Sequence, residues 1–197
     1  MLVLASQSAG RKAVLEAAGV PFEAMAAGVD EESAKASLRG EGLGARDLAD
    51  ALAELKALKV SGKRPRDLVL GCDQTLMLDN GTMFDKSKSA NDLAAQLGQL
   101  SGQTHSLFSA VVIAENGQAV WRHIEQVKLT MRPLSDNFIA SYVEAWGTDL
   151  LGCVGGYQIE RHGAQLFSRI EGSHFAIIGL PLLPLLDYLR IREVMPS

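Results

Sequence analysis

Short all-apolar runs alternate with stretches in which apolar residues recur every three to four positions, and this alternation organises the first half of the chain. Leu2-Val3-Leu4-Ala5 is a run with the length of a buried strand. A loop of small residues, Ser6-Gln7-Ser8-Ala9-Gly10-Arg11, leads into a helical pattern at Val14, Leu15 and Ala18 that Gly19 closes. The segment 20–25 reads as extended and runs to an acidic turn, Asp30-Glu31-Glu32. Leu48, Leu52, Leu55 and Lys59 predict a helix over 47–60, stopped by Ser61-Gly62, with Lys56 beside its apolar face. Leu68-Val69-Leu70-Gly71-Cys72-Asp73 then forms a second buried strand, predicted to end in a carboxylate.

Downstream, Leu76 and Leu78 face Met83-Phe84 across Asp79-Asn80-Gly81, the pattern of a β-hairpin. Ser89 followed by Asp92 marks a helix start, with Leu93, Leu97 and Leu100 inward and Ser101-Gly102 as the stop. Two strands flank Asn116-Gly117, and Ser135 opens a helix carrying Phe138, Ile139, Tyr142 and Val143. A glycine-rich segment at 152–157, a short strand near 166–170 and a leucine-rich helix from about Pro181 complete the chain. The fold class is therefore α/β, a mixed twisted sheet with helices packed on it. No repeat or linker divides it, so residues 1–197 are read as one domain.

Composition narrows the function classes. With 47% hydrophobic and 21% charged residues, the chain is neither disordered nor membrane-spanning, and the longest apolar stretch, 175–186, is interrupted by Gly179, Pro181 and Pro184. A net charge of −4 argues against nucleic-acid binding, which draws on clustered Lys and Arg. No signal-peptide pattern opens the chain, so a cytoplasmic location is expected. Cys72 and Cys153 are too isolated for a disulfide framework or a zinc cluster.

The chemistry gathers at element ends. Hydroxyls, a glycine, Arg11 and the free N–H groups of a helix start suit an anion such as phosphate, although the serines could equally serve only as helix caps. Phosphoanhydride hydrolysis needs charge neutralisation, a divalent metal and a carboxylate that orients water. Asp73, at the end of an apolar run, offers the carboxylate or else caps the next turn. Lys56 and Lys86 offer positive charge but taken singly are surface lysines, and Asp30, Glu31 and Glu32 taken alone are a solvated turn. Residue by residue, the reading stops at a phosphate-binding α/β protein. His105 reads as a core or loop histidine, with catalysis as its alternative. His123, His162 and His174 lack metal-ligand spacing.

The motifs resemble those of the Maf-like nucleoside triphosphate pyrophosphatases. VLASQSAGRKAVLEAAGVPFE is similar to that family's opening signature, L-A-S-x-S-x-x-R followed by a hydrophobic pair and G-hydrophobic-x-F. VDE at 29–31, LAELKA at 52–57, GCDQT at 71–75, the lysine of DKS at 86, LSGQTH at 100–105 and IEGSHFAIIGLPL at 170–182 follow in order, covering nearly the whole chain. The resemblance implies two lobes around a central cleft and metal-dependent hydrolysis of a nucleoside triphosphate to the monophosphate and pyrophosphate. It implies Asp73 as catalytic base, Ser8 and Arg11 in the phosphate loop, Lys56 and Lys86 as substrate-binding lysines, and Glu31 with Asp73 as holders of Mg²⁺ or Mn²⁺. A homodimer is also within the family's habits.

Three positions bear on the base. Where the branch acting on dTTP and UTP has arginine, threonine and glutamine, this chain has Gly10, Gln74 and Glu160. Gln74 and Glu160 are similar to the branch acting on 7-methyl-GTP, whereas Gly10 stands where that branch has tryptophan. An acceptor-only carboxylate at Glu160 suits the N1–H and amine of guanine. The expected substrate is thus 7-methyl-GTP or another purine nucleotide. The alternatives are a dTTP/UTP enzyme of the same family and a non-catalytic septum-formation regulator. Ala9 and Ser87 replace family prolines, from which looser loops are expected.

Overall fold

The computed structural model describes residues 1–196. Its elements run β1 (Leu2–Leu4), α1 (Ala9–Ala17), β2 (Phe22–Ala24), α2 (Glu31–Gly40), α3 (Ala45–Ser61), β3 (Leu68–Leu78), β4 (Met83–Phe84), α4 (Ala90–Leu100), β5 (Thr104–Glu115), β6 (Gln118–Met131), α5 (Asp136–Leu150), a 3₁₀ turn (His162–Leu166), β7 (Phe167–Glu171), α6 (His174–Ile178) and α7 (Leu182–Ile191). The strands form one seven-stranded mixed sheet in the order β2-β1-β3-β5-β6-β7, with β4 paired to β3. Among the described residues, no helix is long and apolar enough to cross a membrane.

Two compact units can be distinguished. The first comprises Met1–Gln74, Phe108–Glu125 and the segment from Ser173 onward, and the second comprises Thr75–Leu107 and Gln126–Gly172. In the first, β1 pairs in parallel with both β2 and β3. Both faces of β1 and β3 are covered, which is why these two read as unbroken apolar runs. Leu2, Leu4, Leu70 and Cys72 pack with Val14 and Leu15 of α1 and Leu185 and Leu189 of α7, while Val3, Ala5 and Val69 pack with Val60 of α3. The chain leaves β1 through α1 to reach β2 on one side and returns through α3 to β3 on the other. That reversal makes the carboxyl end of β1 and the stretch of β3 just beyond their pairing a topological switch point, the kind of place where open α/β sheets bind ligands.

The structure departs from the sequence expectations in three places. The acidic turn is the start of a helix: Asp30 caps α2, accepting from the Ser33 amide at 3.1 Å, with Glu31 and Glu32 in its first turn. That amide bond, followed by one from the Ser33 hydroxyl, holds the Asp30 carboxyl below its usual range. The helix buries no residue, so it has no apolar stripe by which to be recognised. Asp73 does not end its strand, because β3 runs on unbroken to Leu78 and carries Asp73 in its middle. Third, the apolar stretch near Phe175 contains the short helix α6, ended by Gly179 in a left-handed conformation at φ 98°.

In the second unit the expected hairpin is present, with Leu76 opposite Phe84 and Met77 opposite Met83. Helices α4 and α5 pack together. His105 is fully buried, sharing a 2.7 Å hydrogen bond with Tyr157 Oη beside Phe167, so its place is in the core. The Ser87 hydroxyl donates to Gln96 Oε1 at 2.8 Å, and Gln96 in turn donates to the Asp85 carbonyl.

Candidate active site

Alternation along β3 decides where each side chain goes. Leu70 and Cys72 enter the face shared with α1 and α7, so Val69, Gly71 and Asp73 point to the other face, toward α3. At Gly71 the helix lies directly on the strand. A Cβ there would fall 2.1 Å from the Ala53 carbonyl oxygen and 2.7 Å from the Ala57 amide nitrogen. This close approach brings Lys56, on the same helix, to Asp73, two residues further along the strand.

Lys56 Nζ donates to Asp73 Oδ1 at 2.6 Å and lies 2.8 Å from Glu31 Oε1, so one ammonium bridges two carboxylates. Lys56 is 6% exposed and Asp73 5%. Burying charges so deeply is costly unless they are matched, and here the Lys56 ammonium is matched by carboxylates on two elements. The second oxygen of Asp73, Oδ2, is buried with no hydrogen-bond partner among the described residues. A buried carboxylate oxygen left unsatisfied is poised to accept from water or to coordinate a cation.

Those features fit a divalent metal of the Mg²⁺ or Mn²⁺ type. Such ions take one or two protein carboxylates and complete their shell with water and substrate phosphate. Asp73 Oδ2 and the half-buried Glu31 carboxylate are the groups that would hold such an ion. Among the described residues no group of three or more His, Cys, Asp or Glu side chains gathers into an all-protein metal cage.

Ser8 caps α1: its Oγ accepts from the Arg11 amide at 3.4 Å, the helix-cap role that the sequence left open. Gly10 lies in the first turn of that helix. The Arg11 side chain turns back to the strand ends, donating from Nε to the Gly179 carbonyl at 2.9 Å and from Nη1 to the Cys72 carbonyl at 3.0 Å and Ser6 Oγ at 3.3 Å. The guanidinium is thereby fixed beside the residue preceding Asp73. Burial pushes the Cys72 thiol up to about 11, which keeps it protonated and unreactive at neutral pH.

Gln74 points to the face opposite Asp73. Its Nε2 donates to Ser109 Oγ at 2.8 Å and to the Ala176 and Ile177 carbonyls, each at 3.0 Å. Arg11, Lys56, Glu31, Asp73, Ser8, Gly10 and Gln74 thus all belong to the first unit. Lys86 and Glu160 belong to the second, where both are exposed. Lys86 sits in an isolated bridge with Val154, next to the Ser87–Gln96 tie. Sequence reasoning missed Ser109 and Gly179. Ser109 was legible as a hydroxyl inside the apolar run 107–114, and Gly179 as a glycine between a helix and a proline-led segment.

A family profile described as Maf-like protein matches residues 1–192. A protein of Hyphomonas neptunium named nucleoside triphosphate pyrophosphatase is 53% identical, spanning 100% of this chain and 98% of its own length. Proteins of the same name from Caulobacter vibrioides and Ruegeria pomeroyi are 52% and 50% identical, over 98% and 100% of this chain and 96% and 98% of their own lengths.

Proposed function

From the chain's membership of the Maf-like protein family we propose that it is a nucleoside triphosphate pyrophosphatase, releasing pyrophosphate and a nucleoside monophosphate. The observation that best supports this reading is the buried Lys56–Asp73 pair with its unsatisfied Oδ2, beside the anchored Arg11. Near-full-length relatives at about half identity carry the corresponding name.

Asp73 is assigned as the base that orients and deprotonates the attacking water through Oδ2. Lys56 keeps the carboxylate fixed through Oδ1 and offsets charge as the phosphorus is attacked. Arg11 binds the triphosphate, with Ser8 and Gly10 shaping the α1 start that carries it. Asp73 and Glu31 would hold a divalent cation, which when bound supplies charge neutralisation at the phosphate oxygens. Lys86 and Glu160 are assigned to substrate binding on the family resemblance. The proposed base preference is for 7-methyl-GTP or another purine, read by the Glu160 carboxylate as an acceptor for guanine N–H groups. A dTTP or UTP preference is the rival.

Pyrophosphate release by the wild type and by Asp73→Asn, with Mg²⁺ or Mn²⁺ and a panel of GTP, 7-methyl-GTP, UTP and dTTP, tests the assignment. Loss of turnover only in the variant supports it. Equal, negligible turnover in both would leave a non-catalytic septum regulator as the better account.

A further inference from the structure

We propose that His105 and Tyr157 are positioning residues for base selection: their buried hydrogen bond anchors the loop 153–163, which carries Glu160. The inference rests on the assignment of Glu160 to the base.

His105 lies on β5 and Tyr157 in the loop, both buried, and His105 Nε2 shares a hydrogen bond of 2.7 Å with Tyr157 Oη. The other ring nitrogen, Nδ1, is buried with no hydrogen-bond partner among the described residues. Burial lowers the histidine pKa to about 4 and pushes that of the tyrosine well above its usual value, so both partners are neutral at pH 7. Phe167 packs against both rings, its centroid 5.9 Å from that of His105 and 4.7 Å from that of Tyr157. In such surroundings the bond has no water to exchange with, and breaking it strands polar atoms in the core.

The loop is pinned on either side of this anchor. Before it, Val154 forms a backbone bridge with Lys86. Gly155 then passes so close to the Tyr157 ring that a Cβ there would stand 2.6 Å from Cε1. After it, the Gln158 carbonyl accepts from the amides of both Arg161 and Gly163, each at 3.1 Å, which closes a turn around Glu160. A Cβ on Gly163 would stand 2.6 Å from the same carbonyl oxygen. Tyr157 and Ile159 are buried whereas Glu160 is exposed, so the turn leaves the carboxylate open to solvent. Because the turn is closed on itself, its placement falls to the segment just before it, where Tyr157 reaches into the core. His105, Tyr157 and Glu160 all belong to the second unit.

The test compares Tyr157→Phe, which removes only Oη, with two variants at 105: His105→Gln, whose amide can stand in for Nε2, and His105→Leu, which has no polar group. Hydrogen exchange over 153–163 reads the anchor, and the kcat/KM ratios of GTP and 7-methyl-GTP to UTP and dTTP read base selection. Tyr157→Phe and His105→Leu should speed exchange in the loop by about tenfold and lower the ratios by up to about tenfold, while His105→Gln keeps both near wild type. Inhibition by inorganic tripolyphosphate, which has no base, should change by less than about twofold in all three. With Glu160→Ala already in place, Tyr157→Phe should not alter the ratios further, since coupled residues are non-additive.

Unchanged loop exchange in Tyr157→Phe would overturn the inference. Faster exchange with unaltered base ratios, where Glu160→Ala does alter them, would overturn it as well. So would equal losses in His105→Gln and His105→Leu, which would assign the pair to packing alone. If Glu160→Ala itself left the ratios unchanged, the assignment of Glu160 would be at fault and the inference would fall with it, a result told apart by a loop that still loosens in Tyr157→Phe. Thermal unfolding of each variant identifies any loss due to misfolding, and the two variants at 105 decide the matter if Tyr157→Phe fails to fold.

Discussion

Gly71 and Ala53 meet so closely that no side chain fits between them: a Cβ on Gly71 would stand 2.1 Å from the Ala53 carbonyl oxygen. This contact sets the distance between β3 and α3, and with it the meeting of Asp73 and Lys56. Gly71→Ala should push the helix away, because the obstructing atoms are backbone and cannot rotate aside. The expected loss is about 1–3 kcal/mol or more of stability, with turnover falling further than the shift in Tm explains. Paired urea unfolding and pyrophosphate assays would show it. A variant with wild-type stability and activity would remove the contact from the account.

Lys56→Met should destabilise the protein strongly. It leaves Asp73, 5% exposed, without its cation, and breaking a buried ion pair costs about 3–5 kcal/mol. Adding Asp73→Asn should recover part of that loss. Chemical denaturation of both singles and the double gives the cycle, and strictly additive losses would mean that the pair is not coupled.

Chelation should abolish pyrophosphate release, and Mg²⁺ or Mn²⁺ should restore it. Glu31→Gln should raise the metal concentration for half-maximal activity by about ten- to a hundredfold, while Tm changes little because Glu31 lies at the open end of the bridge. An unchanged metal requirement in the variant would exclude Glu31 as a ligand.

His105 links stability to pH. Burial lowers its pKa from 6.5 to about 4, so the folded state disfavours the protonated ring while the unfolded chain takes up the proton. Its contribution is full above about pH 6.5 and is lost as pH falls toward 4, reaching about 3 kcal/mol. Unfolding free energies measured across that window should decline more steeply for the wild type than for His105→Gln. Parallel curves would assign the acid sensitivity elsewhere.

Glu160→Gln should shift preference from guanine nucleotides toward UTP and dTTP, because a carboxylate only accepts hydrogen bonds whereas the amide can also donate to a pyrimidine carbonyl. Ratios of kcat/KM measure the shift. Identical ratios in wild type and variant would take Glu160 out of base selection.

Much of the fold was written locally. Strands β1 and β3 are apolar on both faces because helices cover both, and α1, α4 and α5 announce themselves through the Ser8, Ser89 and Ser135 caps. Helix α2 escaped notice because no residue of it is fully buried and its half-buried face, Glu31, Ala34, Lys35, Leu38 and Arg39, is mostly charged, leaving only Asp30 and the charges at its two ends as signals. The strand continuing past Asp73 escaped notice because a buried charge reads as a terminus until its counter-ion is known. The types and order of the site residues were likewise legible: an aspartate after an apolar run, a lysine on a helix, an arginine after a small-residue loop.

What those residues do to one another was decided only by tertiary structure. Lys56 reaches Asp73 because Gly71 lets a helix rest on the strand, and Gln74 faces α6 because adjacent strand residues point to opposite faces. Local sequence encodes the period of an element and the chemistry of its side chains. The partner that a side chain meets across the sheet depends on packing between segments far apart in the chain, and no short-range pattern carries that information.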